Sequence, residues 1–82
     1  MEKTFILKSD HGMHARPAAN LVRFASTLAG DVKIKYNEKV ADVKSIMAVM
    51  GLALPSDASF TLIANEDDLA KLETYLHENE LI

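Results

Sequence analysis

A histidine and an arginine two positions apart, preceded by a glycine and followed by a proline, are the residues of this 82-residue chain whose types and spacing could do chemistry. They stand in the run Gly12-Met13-His14-Ala15-Arg16-Pro17-Ala18. A neutral imidazole nitrogen is an available nucleophile near neutral pH, because its unperturbed pKa is ~6.5, and histidine can carry a covalent intermediate. Arg16 is always charged and can pair with phosphate oxygens. If a helix begins here, its first amides point outward with a partial positive charge, a combination that binds phosphate. Gly12 could let a partner approach closely. Nucleophile, cation and amides together suit a phosphohistidine. No strong acid or base, metal cluster or pocket-forming stretch accompanies them, which favours a relay over a stand-alone enzyme. A histidine at a helix start is more often a surface residue or a cap, and residue chemistry alone leaves both readings open.

The other histidines weigh less. His11 lies three residues before His14, but two histidines without a third ligand make a weak metal site. The better reading of His11 is a loop histidine that perturbs His14 electrostatically. His77, near the end of the last helical pattern, suits the negative end of a helix. The chain has no cysteine, so disulfides, thiol chemistry and thiolate metal sites are excluded. No metal and no cofactor is expected. Twelve acidic residues against nine basic ones give a net charge of −3 without a basic stripe, so direct nucleic-acid binding is not expected. No apolar run reaches the ~18 residues of a membrane span, and the N-terminus lacks the order of a signal peptide. The expectation is a cytoplasmic protein without membrane insertion.

The elements that must position His14 can be read from periodicity. The length suits a single domain over residues 1–82. Thr4 to Lys8 reads as a strand with Phe5 and Leu7 on one face. Ser9 to Gly12 reads as a loop. Pro17 fits the first turn of a helix, whose stripe is Ala18, Leu21, Val22, Ala25 and Leu28, with Gly30 as the stop. Asp31 to Tyr36 and Lys39 to Val43 alternate as two strands around an Asn37-Glu38 turn. Ser45 can cap a short helix from Ile46 to about Leu52. Ser59 to Ala64 is a fourth strand. Asn65 caps a last helix with Leu69, Leu72 and Leu76 as its buried stripe. The order β-α-β-β-α-β-α predicts an α+β open-faced sandwich, a four-stranded, mostly antiparallel sheet with helices on one face.

Gly-Met-His-Ala-Arg-Pro-Ala resembles the active-site signature of the HPr family of the bacterial phosphoenolpyruvate:sugar phosphotransferase system. Lys44-Ser45-Ile46-Met47-Ala48-Val49-Met50 resembles the same family's second signature, and order and spacing match over nearly the whole chain. The resemblance implies a phosphocarrier that takes a phosphoryl group from enzyme I and passes it to sugar-specific EIIA components. His14 matches the phosphorylated histidine, which reacts through Nδ1 in the family. Arg16 matches the arginine that pairs with the phosphoryl group, and Ala15 and Arg16 the backbone amides that receive it. Ser45 matches the serine that HPr kinase/phosphorylase modifies with ATP in Gram-positive relatives. Ala19, Arg23, Ile46, Met47 and Met50 match positions that dock donor and acceptors. Without the resemblance, the methionine stripe would read as core.

The chain departs from the family pattern at Ala48 and Ala53, where many relatives have glycine, at Gly51, where many have serine, and at Asp57, a turn position that is often glycine. The loop before the last helix is short. These changes bear on the second helix and its docking patch, not on His14 or Arg16. The alternative to the carrier is a regulatory HPr-like binding module that acts through phospho-Ser45 on a LacI-type transcription regulator. Relatives of that kind typically lack the histidine that this chain keeps.

Overall fold

The computed structural model describes all 82 residues, and its elements follow the expected order. They are β1 (Glu2–Ile6), α1 (Ala15–Ala25), β2 (Lys33–Tyr36), β3 (Lys39–Asp42), α2 (Ile46–Gly51), β4 (Ser59–Ile63) and α3 (Glu66–Glu78). The sheet runs β1-β4-β2-β3, and every pairing is antiparallel. The fold is therefore the expected open-faced sandwich. The chain leaves β1, crosses through α1 and returns one strand further over as β2; β4 later fills the gap between them.

Alternation decides which face is covered. Phe5, Ile34, Ala41, Phe60 and Leu62 are buried and join one core with Ala18, Leu21 and Ala25 of α1, Val49 of α2 and Leu69, Leu72 and Leu76 of α3. Removing a side chain of leucine size from water contributes on the order of 1.5–3 kcal/mol. Phe5 stands opposite Phe60 in the β1–β4 register, their ring centres 5.9 Å apart. On the open face Thr4 stands opposite Thr61, with the two hydroxyls hydrogen-bonded at 2.8 Å. Asn37 and Glu38 have φ of 49° and 67°. Two consecutive left-handed residues make the tight turn whose twist matches the flanking strands.

Several expected boundaries move: β2 opens at Lys33 rather than Asp31, β3 and β4 each stop one residue short of Val43 and Ala64, and β1 and α1 shift as well. β1 lies two residues earlier than Thr4 to Lys8 because it pairs along the whole of β4, from Glu2–Ile63 to Ile6–Ser59. Leu7 and Lys8 stay extended but bond outside the ladder: the Leu7 N–H donates to the Ala58 carbonyl and the Lys8 N–H to the Leu81 carbonyl. The helix expected to reach Leu28 ends at Ala25. The Ser26 hydroxyl donates to the Val22 carbonyl at 2.8 Å and the Thr27 hydroxyl to the Phe24 carbonyl at 2.6 Å, competing with the backbone for the last acceptors of the helix. Gly30 is thus not the stop for α1. Its N–H donates to the buried Asp68 carboxylate at 3.2 Å, and a Cβ on Gly30 would press on Asn65 and Asp68. Both expected caps form: Ser45 Oγ accepts from the Ala48 N–H at 3.3 Å and Asn65 Oδ1 from the Asp68 N–H at 2.8 Å. Two of the departures noted above, Ala53 and Asp57, adopt left-handed backbone with φ of 52° and 67°, which explains why glycine suits those positions.

Candidate functional site

The loop between β1 and α1 is pinned from beneath. Met13 is buried and its N–H donates to the Leu54 carbonyl at 2.8 Å. Gly12 is also buried, with φ of 73°, and a side chain there would collide with the Leu54 carbonyl oxygen and Pro55. The close approach that Gly12 permits is thus to the chain's own Leu54-Pro55 backbone, not to a partner. With Met13 held inward, His14 turns outward. It is exposed, extended (ψ −170°), and occupies the N-cap of α1 without making a side-chain cap bond. Its ring is free of any backbone commitment.

The first turn of α1 then presents a particular set of donors. The Ala18 N–H is taken by the His14 carbonyl at 3.0 Å. Pro17 has no N–H. The amides of Ala15 and Arg16 meet no protein acceptor and remain at the helix mouth beside the imidazole. Arg16 is exposed and makes no ion pair with a carboxylate. His14 and Arg16 open onto one shallow depression of about 480 Å³, shared with Lys8, His11, Tyr75 and Glu80. Such a site can expose a nucleophile with cationic and amide donors around it, but it does not enclose a substrate.

His11 sits against His14, ring centres 6.1 Å apart and planes at 72°. No group of three or more His, Cys, Asp or Glu residues forms around them. His77 does not line the depression. It stands in the last turn of α3, its Nε2 3.9 Å from Glu73 Oε2, while Glu73 Oε1 takes Lys3 Nζ at 2.6 Å.

The second signature lies on α2, against α1. Helical periodicity turns Val49 fully inward and leaves Ile46, Met47 and Met50 with 38%, 78% and 40% of their surface exposed. The methionine stripe is therefore surface, not core. On α1, Ala19 is half-buried, and Arg23 is exposed, donating to Asn20 Oδ1 at 3.4 Å. Ser45, half-buried at the start of α2, keeps its hydroxyl on the Ala48 amide.

Sequence reasoning missed the far wall of the depression: Tyr75 in the last turns of α3, and Asn79, Glu80 and Leu81 just beyond it. Tyr75 stacks on Phe24 of α1, ring centres 4.5 Å apart. Its burial raises the hydroxyl pKa above the ordinary 10.0, and the nearby Arg23 charge opposes that rise. Leu81 is buried and its carbonyl accepts from Lys8, so the chain end closes on the β1 side of the site. The signal was the apolar pair Leu81-Ile82 following a polar Asn79-Glu80 turn.

The family model described as "PTS HPr component phosphorylation site" matches residues 1–78. The chain is similar to the solved structure of a histidine-containing phosphocarrier protein of Mycoplasma, at 30% identity over 100% of this chain and 98% of that one, with a TM-score of 0.88. It is similar to the phosphocarrier protein HPr of Bacillus anthracis at 29% identity over 93% of this chain and 90% of that one, with a TM-score of 0.83. It is also similar to Crh, a catabolite repression protein of Bacillus subtilis, at 36% identity over 88% of this chain and 87% of that one, with a TM-score of 0.73. Matching sheet, element order and near-complete coverage lead to one conclusion: this chain belongs to the HPr family of phosphocarriers of the phosphotransferase system.

Proposed function

We propose that this single HPr-like domain, residues 1–82, is a phosphoryl relay that works through His14 in the cytoplasm. The observation that carries the reading is the uncommitted imidazole of His14 at the mouth of α1, beside two free amides and the unpaired Arg16 guanidinium. A lone pair of the neutral ring, on Nδ1 by family resemblance, attacks the phosphorus carried by enzyme I. The N–P bond to His14 forms as the bond to the donor breaks, and the reverse exchange delivers the group to an EIIA component. The amides of Ala15 and Arg16 and the Arg16 side chain receive the phosphoryl oxygens. No cofactor takes part, and the shallow site suits exchange between protein surfaces better than stand-alone catalysis.

Docking falls to the apolar patch of Ile46, Met47 and Met50, with Ala19 and Arg23 of α1 beside it. Methionine adapts to several partners, which fits a carrier that must meet both donor and acceptors. Ser45 sits at the edge of this patch and is the proposed target of HPr kinase/phosphorylase. A phosphoryl group there adds roughly −1.5 to −2 charge at pH 7, tolerated at a helix start but repulsive to an acidic partner.

A second reading is a regulatory module that acts through phospho-Ser45 on a LacI-type transcription regulator. The likeness to Crh at 36% identity favours it; the retained His14 with its free donors favours the relay. A transfer assay separates them. Label from phosphoenolpyruvate reaches EIIA through enzyme I and the intact protein, and the His14→Ala variant supports none of this passage while keeping its fold. Passage at the intact rate by His14→Ala would overturn the relay.

A further inference from the structure

We propose that His11 is a positioning residue for the phosphoryl group: as an imidazolium it holds an oxygen of the group carried by His14, making the carrier's hold on that group pH-dependent. The inference rests on the relay reading. Two histidines stand edge to face with ring centres 6.1 Å apart, both exposed, on the rim of the same depression. That separation is too long for a bond between the rings. It leaves room for a tetrahedral oxyanion on His14 with an N–H···O contact of about 2.9 Å to its neighbour.

His14 itself, and the phosphoryl group with its second pKa of about 6, also titrate near neutral pH, but both are present in every variant compared below, so what changes with His11 is read against that common background. Lys8 and Asp10 on the same loop, Arg16 on α1, and Tyr75 and Glu80 at the end of α3 share the depression with the two histidines. Lysine, arginine and tyrosine titrate far above neutrality and the carboxylates far below it. Between about pH 5.5 and 8 these groups are constant charges, whereas an ordinary histidine crosses its pKa at ~6.5. Lys8 and Arg16 bring positive charge to this rim, and Asp10 and Glu80 negative charge. Those contributions act with and without the phosphoryl group, so a comparison of the two forms of one molecule isolates the effect of phosphorylation.

The direction follows from linkage. An anion beside His11 favours its charged form and raises its pKa, by about one unit at such distances. The extra hold on the phosphoryl group is then complete below the unperturbed pKa of ~6.5 and is lost as pH rises through the raised value. A shift of one unit corresponds to about a tenfold change in the equilibrium for holding the group. The carrier would keep its cargo more firmly at mildly acidic pH and release it more readily above neutrality.

The test is an NMR titration of the ring signals of His11 from pH 5.5 to 8.5, in the free protein and in the protein kept phosphorylated by phosphoenolpyruvate and enzyme I. The expected result is a His11 pKa about one unit higher in the phosphorylated form. His11→Gln should lessen the pH dependence of the transfer equilibrium between enzyme I and His14, leaving what His14 and the phosphoryl group themselves contribute. His11→Lys, charged throughout the range, should show the same lessened dependence at the tighter level. An unchanged His11 titration on phosphorylation, or a pH profile in His11→Gln that matches that of the intact protein, would overturn the inference while leaving the relay standing. A protein in which His14 takes up no phosphoryl group at all would overturn both.

Discussion

At the scale of single residues, the site depends on which groups are left without partners. Burying Met13 and threading Gly12 against Leu54 and Pro55 forces His14 to the surface as a helix cap that does not cap. Arg16, unpaired, is available for an incoming anion. A charge-assisted hydrogen bond contributes ~1.5–3 kcal/mol, so Arg16→Ala should slow phosphoryl transfer roughly ten- to a hundredfold without abolishing it, as measured by single-turnover transfer from enzyme I. A normal rate would remove Arg16 from the mechanism. Ala53 is a residue in the wrong conformation for its type, with φ of 52°. Left-handed backbone costs a non-glycine residue ~1–2 kcal/mol, while glycine loses ~0.5–1 kcal/mol more conformational entropy on folding. The difference favours Ala53→Gly by about 0.5–1 kcal/mol, seen as a higher urea midpoint with an unchanged slope.

At the scale of elements, periodicity made most of this fold legible. Ala18, Leu21 and Ala25, the alternation at Val32 and Ile34, and the caps Ser45 and Asn65 all stand where apolar spacing and cap chemistry put them. What stayed illegible depends on contacts between distant segments. The reach of β1 is set by its partner β4, and the early end of α1 by two hydroxyls that any helix surface could carry. The left-handed residues Ala53 and Glu80 carry no marker in their own type. In the site, His14 and Arg16 were legible as chemistry, but the wall of Tyr75, Asn79 and Glu80 arrives from a helix some sixty residues later and only the fold brings it there. The short α2 depends on its cap. Its capping bond is long at 3.3 Å, so Ser45→Ala should cost about 0.5–1 kcal/mol, the lower part of the usual range for a lost cap. Ser45→Asp keeps a capping oxygen and should leave the unfolding midpoint close to that of the intact protein. It should also slow transfer, because it adds charge beside Met47.

At the scale of the whole molecule, the open sheet shares one core with three helices. No helix is long and apolar enough to cross a membrane. The Phe24–Tyr75 stack ties α1 to α3 and so holds both walls of the depression together. Burial raises the Tyr75 pKa above 10.0 in the folded state. The folded protein therefore keeps this proton in a range where the unfolded chain loses it. The stabilisation from that neutral hydroxyl is complete below pH 10 and fades as pH climbs through the raised value. Tyr75→Phe should remove this part of the alkaline fall in stability, as followed by urea unfolding between pH 9 and 11. The central claim is that the molecule exists to carry one phosphoryl group on His14. Intact-mass spectrometry after incubation with phosphoenolpyruvate and enzyme I tests it most directly, with each sample split between neutral and acid quench. The account predicts the mass of one phosphoryl group at neutral quench, lost in acid and absent from His14→Ala. No gain in mass, a gain that survives acid, or a gain that persists in His14→Ala would contradict it.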